Sequence, residues 1–321
     1  MRLFEYFGSL GRVGVIPILG YPGLVTEGIS AKECLLDPML HLRVVRSNLH
    51  HFHPDAVFPL LDMTIEAECY DLRADFKDLD PPELSFSIPQ ESWGEKKTPE
   101  LSRIPLMIET ARMMSARISE VPVGFYVTGP FTLAGQIVGI QNLLPGLTKA
   151  RDVILDLLNS CTATVVDYAS KLKETDVDFL VIADPTSSLI SPEHFDDFAK
   201  ASIVKVVKSF SGDSILHVCG RSGHLLKQMV ETGVVGLSLD DHVKLTHAVN
   251  SVPNDVLVLG NYSPTSLADE TPETIAAEVR SMLSGVSGAV NVVASTGCDI
   301  SAATPSANIH AFIQAVKSYE K

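Results

Sequence analysis

Long apolar runs and an excess of basic residues are both missing from the sequence, and each absence excludes a class of function. Apolar stretches such as Val256–Gly260 fall far short of the roughly 20 residues that a membrane helix needs. The 25 lysines and arginines against 39 aspartates and glutamates give a net charge of -14, which repels nucleic-acid backbones. Glu5 and Arg12 interrupt the apolar part of the N-terminal segment, so it does not match a signal peptide. We therefore expect a cytoplasmic protein that binds neither membranes nor nucleic acid.

Cysteine is scarce, with five residues among 321, and the odd number argues against a framework of disulfides. Cys34, Cys69 and Cys161 are expected to be structural, as small buried hydrophobes. Cys219 and Cys298 each follow a predicted strand. These two are the candidates for a metal ligand or a nucleophile.

Short apolar runs that end in glycine, proline, aspartate or asparagine alternate with helical patterns along the chain, which predicts a parallel sheet buried on both faces. The eight runs are Val13–Leu19, Ala56–Leu60, Val123–Val127, Phe179–Ala183, Ser214–Val218, Val235–Leu239, Val256–Leu259 and Ala289–Ala294. Eight such units predict an α/β protein with a single (β/α)8 TIM-barrel domain over residues 1–321. An open doubly wound sheet is the alternative, although no GxGxxG follows a strand. Ile65–Gln90 interrupts the alternation and is expected to be a β-hairpin inserted after strand 2.

Reactive side chains collect where the predicted strands end. His217 and Cys219 end the fifth predicted strand two residues apart, so strand alternation places both on one face. Cys298 follows the eighth predicted strand, which lies three places from the fifth around a closed ring. The carboxyl ends of barrel strands form the active-site face. One imidazole and two thiolates suit zinc, and three protein ligands leave the open fourth position of a catalytic site.

Several of these residues also have a plainer interpretation. A histidine beside a core cysteine is commonly a packing feature, and Cys298 by itself is no more specific. Asp240, which ends the sixth predicted strand, is expected to be the fourth zinc ligand, or else a helix N-cap or a rim salt bridge. Asp184 precedes a proline and is also compatible with shaping a turn. The histidines within residues 50–53 are expected to be a solvated helix end.

Five motifs give the chain a specific resemblance over nearly its whole length. They are TGPFTLAG (128–135), ADPTSSLISPEHF (183–195), ILHVCGRSG (215–223), GNYSPTSL (260–267) and ASTGCDISAATP (294–305). The chain resembles the uroporphyrinogen decarboxylase superfamily, and its HxC and GCDI motifs resemble the zinc-dependent methylcobalamin:coenzyme M methyltransferase branch. The resemblance implies a (β/α)8 barrel with His217, Cys219 and Cys298 as zinc ligands. It also implies that Asp240 is an acidic ligand that the thiol displaces.

This resemblance implies that a methyl group moves from a corrinoid protein or free methylcobalamin to a zinc-bound small thiol such as coenzyme M. Tyr21, Phe131 and Tyr262 are then expected to line the corrinoid site, with Asp184 and Asn261 on the same rim. Ordinary rim packing is the alternative for these aromatic residues.

Two other functions stay open on the sequence. A decarboxylase of the uroporphyrinogen type is disfavoured, because the family's arginine-bearing segment near the first strand reads PILGYPGL here. A corrinoid- or metal-binding protein without turnover is the other alternative.

Overall fold

The computed structural model of the chain describes residues 2–85 and 102–319. At its centre lies a parallel sheet of seven strands, whose residues are almost all buried. The strands are β1 (Gly14–Val15), β4 (Gly124–Thr128), β5 (Phe179–Ala183), β6 (Asp213–Val218), β7 (Gly236–Leu239), β8 (Leu257–Tyr262) and β9 (Val292–Thr296). Their order is β1-β9-β8-β7-β6-β5-β4, so the last strand pairs with the first. The prediction of an α/β fold around a parallel sheet is confirmed.

The second predicted strand, Ala56–Leu60, is wrong as a strand, because only an isolated bridge between Val57 and Val123 forms there. Pro54 and Pro59 flank the bridge, and proline cannot donate a ladder hydrogen bond. Residues 55–57 still connect the two edges of the sheet. The N–H of Asp55 donates to the carbonyl oxygen of Val15 (2.8 Å), and the N–H of Gly124 donates to that of Val57 (2.9 Å).

Helices surround the sheet, and their bounds follow the sequence signals closely. Proline occupies the first position of the helix Pro38–Phe52, and the Thr271 side chain caps the helix that begins at Pro272. None of the helices in the described ranges is long and apolar enough to cross a membrane. The helices are α1 (Leu3–Ser9), α2 (Pro22–Glu27), α3 (Ala31–Leu36), α4 (Pro38–Phe52), α5 (Ile104–Arg117), α6 (Pro130–Val138), α7 (Ile140–Lys149), α8 (Arg151–Lys173), α9 (Pro192–His194), α10 (Lys200–Phe210), α11 (Leu226–Val230), α12 (Leu245–Ser251), α13 (Pro264–Asp269), α14 (Pro272–Ser284) and α15 (Ser306–Lys317).

Alternation along each strand divides the core into an inner and an outer layer. Ile215 of β6 belongs to the inner cluster, which α1 closes with Leu3 at the amino ends of the strands. Leu216 and Val218 belong to the outer cluster between sheet and helices. Residues at odd positions near the end of β6 therefore point into the sheet's interior.

The predicted hairpin insertion is only partly covered by the described residues. A short antiparallel pair joins β2 (Ala74–Asp75) to β3 (Glu83–Leu84). Ala67–Tyr70, within the same segment, forms a 3-10 turn instead of a strand. Residues 86–90 of the predicted hairpin lie outside the described ranges, so the insertion of Ile65–Gln90 as a whole stays a prediction.

Candidate metal centre

Three potential metal ligands meet at the carboxyl end of the sheet. His217 is the penultimate residue of β6, Cys219 follows that strand directly, and Cys298 lies two residues beyond β9. Their ligand atoms all lie within 4.8 Å of one another, and the two sulfurs are 3.0 Å apart. His217 and Cys219 share the parity of Ile215, which belongs to the interior cluster. The carboxyl ends of β6 and β9 therefore meet, as the sequence analysis predicted.

Accessibility separates the two site cysteines from the other three. Cys219 and Cys298 are partly exposed, whereas Cys34, Cys69 and Cys161 are buried. His217 is only 2% exposed. The two cysteines are therefore partly accessible to solvent, whereas His217 lies inside.

Ser238 fixes the ring of His217. Its Oγ lies 2.9 Å from Nδ1 of His217, and the two residues face each other in the register of β6 and β7. A metal-bound histidine generally has a polar partner on its other ring nitrogen, which fixes its tautomer and orientation. With Nδ1 engaged by Ser238, Nε2 is the nitrogen available to a metal.

The hydrogen bond between the two sulfurs shifts their pKa values in opposite directions. The hydrogen bond from the Cys219 thiol lowers the pKa of Cys298 to about 4. The same contact, together with burial and the nearby charge of Asp240, raises the pKa of Cys219 well above its ordinary value. The hydrogen bond thus favours the thiolate form of Cys298, and thiolate is the form that ligates metals.

Asp240 follows β7 directly and adjoins the cluster. Burial opposes its ionisation, but hydrogen bonds from the backbone N–H groups of His242 and Gly220 lower the pKa of its carboxyl below the ordinary value. Its Oδ1 is 2.9 Å from the N and 2.6 Å from Nδ1 of His242. Asp240, Asp241 and His242 form a second group of potential ligands. Asp240 is thus a carboxylate beside Cys219, and its role as fourth ligand stays a prediction.

Charged groups of both signs stand on this rim. The hydrogen bond with Asp240 raises the pKa of His242, and the positive charge of Arg221 opposes that shift. Arg221 lies two residues after Cys219 and is exposed. The rim therefore holds an exposed cation, Arg221, close to the candidate ligands.

A half-buried acid, Asp299, and a buried phenol, Tyr126, lie close to Cys298. Burial raises the pKa of Asp299 well above its ordinary value, and the charge of Cys298 adds to this effect. The hydroxyl of Tyr126 is buried without a hydrogen-bond partner among the described residues. Burial and the charge of Cys298 therefore both oppose a further negative charge behind the sulfurs.

The structure places the aromatic residues predicted to line a corrinoid site in the interior. Tyr21 is 1% exposed, and its hydroxyl donates to the carbonyl oxygen of Leu61 (2.9 Å). Phe131 is fully buried. The hydroxyl of Tyr262 donates to Glu278 of α14 (2.6 Å), on the outer side of the sheet. These three side chains are packed within the protein, and a contact with a corrinoid stays a prediction for each.

The two polar residues predicted on the same rim, Asp184 and Asn261, form hydrogen bonds with neighbouring loops and helices. Asp184 is fully buried and accepts hydrogen bonds from the N–H (2.7 Å) and the hydroxyl (2.5 Å) of Thr132 near the start of α6. Burial raises the pKa of Asp184 to about 6. The side-chain amide of Asn261 donates to the carbonyl oxygens of Asp240 (2.7 Å) and Val243 (2.5 Å). Asn261 thus positions the loop that carries Asp240.

Close approach of two backbones also positions that loop. A Cβ atom added to Gly297 would lie 2.5 Å from the backbone nitrogen of Asp241, closer than such atoms come in proteins. Only glycine therefore lets the turn before Cys298 contact the loop after β7. This contact sets the spacing between Cys298 and Asp240.

Sequence reasoning missed four residues at the site: Ser238, His242, Asp299 and Tyr126. Ser238 was recoverable in principle, because it occupies an inward-facing position of the neighbouring strand β7. Its contact with His217 depends on the register of β6 and β7, which no short motif encodes. Asp299 lies inside the GCDI motif, but the packing that raises its pKa is a tertiary property.

Comparison with known proteins places the chain in a family. The family model for uroporphyrinogen decarboxylase (URO-D) matches residues 18–319. The methylcobamide:CoM methyltransferase MtbA of Methanosarcina mazei is 31% identical over 280 residues, which are 83% of this chain and 80% of that protein. The MtbA of Methanosarcina acetivorans is 32% identical over 228 residues, 68% of this chain but only 65% of that protein.

A solved structure agrees in fold. The structure of a methyltransferase from Methanosarcina mazei superposes with a TM-score of 0.84 at 22% identity, covering 98% of this chain and 97% of that one. Together with the family model and the relatives, this fold leads to one conclusion. The chain belongs to the uroporphyrinogen decarboxylase family, within the branch that contains methylcobamide:CoM methyltransferases.

Proposed function

We propose that the protein is a methyltransferase that moves a methyl group from a methylated corrinoid to a small thiol of the coenzyme M class. The donor is free methylcobalamin or a corrinoid protein. Zinc is the proposed metal, held by His217, Cys219 and Cys298. The proposal is supported by the meeting of these three side chains within 4.8 Å at the carboxyl end of the sheet. The names of the relatives agree with it.

The donor set fits zinc on chemical grounds. One imidazole nitrogen and two sulfurs are the borderline-soft ligands that zinc accepts in tetrahedral sites. A structural zinc site commonly has four protein ligands, whereas a catalytic site keeps one position for water or substrate. When bound, zinc would hold the acceptor thiol as a thiolate at neutral pH and keep its sulfur nucleophilic.

The chain's own residues then have distinct tasks. Cys219 and Cys298 offer two anionic sulfurs, and Ser238 orients the imidazole of His217. Asp240 would be the fourth ligand in the absence of substrate, and the hydrogen bonds from His242 would hold its carboxylate when the thiol takes that position. In the transfer, the thiol sulfur forms a bond to the methyl carbon while the cobalt–carbon bond breaks. The electron pair of that bond stays on cobalt, and the thiol proton goes to solvent.

The proposal includes the complete architecture. Residues 55–57 take the place of the second strand in a (β/α)8 barrel that forms one domain over residues 1–321, supported by their hydrogen bonds to both sheet edges. The segment Ile65–Gln90, apart from the 3-10 turn Ala67–Tyr70, is proposed to be a hairpin insertion near the mouth, and the protein is proposed to act in the cytoplasm. A corrinoid approaching this mouth meets Tyr21, Phe131 and Tyr262 only if the surrounding loops rearrange.

One experiment tests the proposal directly. The purified protein is analysed for bound metal, and methylcobalamin is then mixed with 2-mercaptoethanesulfonate (coenzyme M) while the visible absorbance is followed. We expect one zinc per chain and loss of the methylcobalamin spectrum that depends on both protein and thiol. Protein stripped of metal with a chelator should be inactive, and zinc should restore the rate.

The outcomes separate the alternatives. Full activity of metal-free protein would contradict the zinc-dependent proposal. A corrinoid that binds without any spectral change on addition of thiol would indicate a binding protein without turnover. Release of carbon dioxide from uroporphyrinogen, with no methyl transfer, would indicate a decarboxylase.

A further inference from the structure

Arg221 is an exposed cation beside the candidate ligands. It lies two residues after Cys219, and its side chain is exposed. Within residues 2–85 and 102–319, no ion pair and no side-chain hydrogen bond is formed by its guanidinium. The nearby carboxylate of Asp240 already accepts hydrogen bonds from the backbone and ring of His242. The chain therefore leaves the guanidinium of Arg221 open to a ligand.

The backbone holds Arg221 at a fixed place relative to the sulfurs. Gly220 has a φ of +81°, and its carbonyl oxygen accepts a hydrogen bond from the N–H of Ser222 (2.8 Å). The ring of His224 bridges the carbonyl oxygens of Arg221 (3.0 Å) and Ile190 (2.9 Å). Two residues span at most about 7 Å of extended chain. The Arg221 backbone thus lies within the length of a small thiol from Cys219.

The charge pattern of the rim indicates what kind of ligand suits this position. Cys219, Cys298, Asp240 and Asp241 surround the site with anionic or potentially anionic groups, and the whole chain carries a charge of -14. An anionic substrate would be repelled from such a rim unless a cation faced it. Arginine offers a planar fork of N–H donors that matches the paired oxygens of a carboxylate or sulfonate.

We propose that Arg221 is a specificity-determining residue that binds the anionic group of the acceptor thiol while its sulfur lies at the metal centre. The substrate class is then small thiols that carry a sulfonate or a carboxylate two or three carbons from sulfur. This inference rests on the proposed function, because it requires a thiol to bind at the cluster of His217, Cys219 and Cys298.

Direct binding measurements test this inference without methyl transfer. Zinc-loaded wild type, Arg221→Gln, Arg221→Lys and Lys244→Gln are titrated calorimetrically with 2-mercaptoethanesulfonate, 3-mercaptopropionate and uncharged 2-mercaptoethanol. Lys244 is the matched control, because it is an exposed cation on the same loop as Asp240. Metal content and thermal unfolding of each variant are measured first.

We expect Arg221→Gln to weaken binding of the anionic thiols by roughly 10-fold or more, the size of a lost charge-assisted hydrogen-bond pair. Binding of 2-mercaptoethanol should be unchanged in this variant. Arg221→Lys should recover part of the affinity, and Lys244→Gln should behave as wild type. The relative affinities of the sulfonate and the carboxylate then identify which anion the site prefers.

Three results would overturn the assignment. They are equal losses for charged and uncharged thiols in Arg221→Gln, no loss for either, or an equal loss of the anionic thiols in Lys244→Gln. Failure of the proposed function is a separate observation, because it appears as absent methyl transfer by wild type with every thiol.

Discussion

Oγ of Ser238 lies 2.9 Å from Nδ1 of His217, across two neighbouring strands whose register sets these residues opposite each other. Both side chains are buried and face the interior, so few other rotamers are open to them. The pair links strand register to the orientation of a candidate metal ligand, and a first prediction concerns this link.

Ser238→Ala should weaken zinc binding without removing it. The substitution takes away the partner of Nδ1, so the imidazole loses a fixed tautomer and orientation. Loss of such an outer partner typically reduces metal affinity by about 10- to 100-fold. Competition with a chromophoric zinc chelator measures the change. Ser238→Thr, which keeps a hydroxyl, should retain more of the affinity, and unchanged affinity in Ser238→Ala would contradict the assigned role.

His217→Ala and Cys298→Ala should each lose bound zinc and methyl transfer while the protein stays folded. Each variant removes one of three proposed ligands, and the sheet around them is packed independently of any ion. Cys161→Ala is the matched control, because Cys161 is a buried cysteine of α8 away from the cluster. Metal analysis and circular dichroism measure the outcome. Stoichiometric zinc in Cys298→Ala would show that this sulfur is not a ligand.

Asp240→Asn should keep zinc and bind thiol more tightly, if the thiol displaces this carboxylate. Removing a competing ligand of modest strength should raise thiol affinity by about tenfold, or about 1.4 kcal/mol. Calorimetric titration of the zinc-loaded variant measures the change, with Asp241→Asn as the control on the neighbouring acid. An affinity equal to that of wild type would argue against Asp240 as the displaced ligand.

The sequence predicted the three-ligand cluster because its geometry depends on simple periodicities. Strand alternation places His217 and Cys219 on one face, and ring order brings the end of β9 to the mouth that β6 also lines. Both follow from the repeat of apolar runs along the chain. No motif longer than three residues was needed for this part of the site.

The surroundings of the cluster were harder to predict, because side-chain direction depends on each loop's path. Tyr262 ends β8, and its hydroxyl reaches Glu278 of α14, while the neighbouring Asn261 reaches the loop of Asp240. Asp184 follows β5, but it accepts a hydrogen bond from the backbone N–H of Thr132 in α6, the helix that follows β4. A position at a strand end therefore identifies the correct rim of the sheet, but not which side chains reach its surface.

The second strand was mispredicted for a local reason. Ala56–Leu60 is apolar enough to be a buried strand, and Val57 does pair with Val123. Pro54 and Pro59 limit the ladder to that one bridge, since neither has an N–H to donate. The apolar pattern correctly indicated burial at this place in the ring, whereas the prolines decided the hydrogen bonding.

Gly297→Ala should destabilise the protein and weaken zinc binding. The added methyl group would meet the backbone nitrogen of Asp241 at 2.5 Å, so the turn before Cys298 or the loop after β7 must move. Such overpacking typically costs about 1–3 kcal/mol. Thermal unfolding of apo protein and zinc affinity measure the two effects. Gly8→Ala is the control, because nothing lies within 4 Å of its added Cβ, and equal stability of both variants would contradict the close contact.

Glu66 should make stability depend on pH. Burial raises the pKa of its carboxyl to about 7, although its oxygens accept hydrogen bonds from the N–H and hydroxyl of Thr128, both at 2.7 Å. A carboxyl whose pKa is raised on folding stabilises the native state fully below its unfolded value, about 4.5. That contribution is lost as the pH rises through 7, on the order of 3 kcal/mol. The free energy of unfolding should therefore fall between pH 5 and pH 8.

Glu66→Gln should flatten this pH dependence, because an amide does not ionise and the hydroxyl of Thr128 can accept from it. The difference between the unfolding free energies at pH 5 and pH 8, from urea titrations, should be smaller in the variant by about 2–3 kcal/mol. Asp184, whose pKa burial raises to about 6, contributes the same dependence to both proteins and cancels. Equal slopes in wild type and variant would mean that Glu66 is ionised throughout this range, which would contradict the raised pKa of its carboxyl.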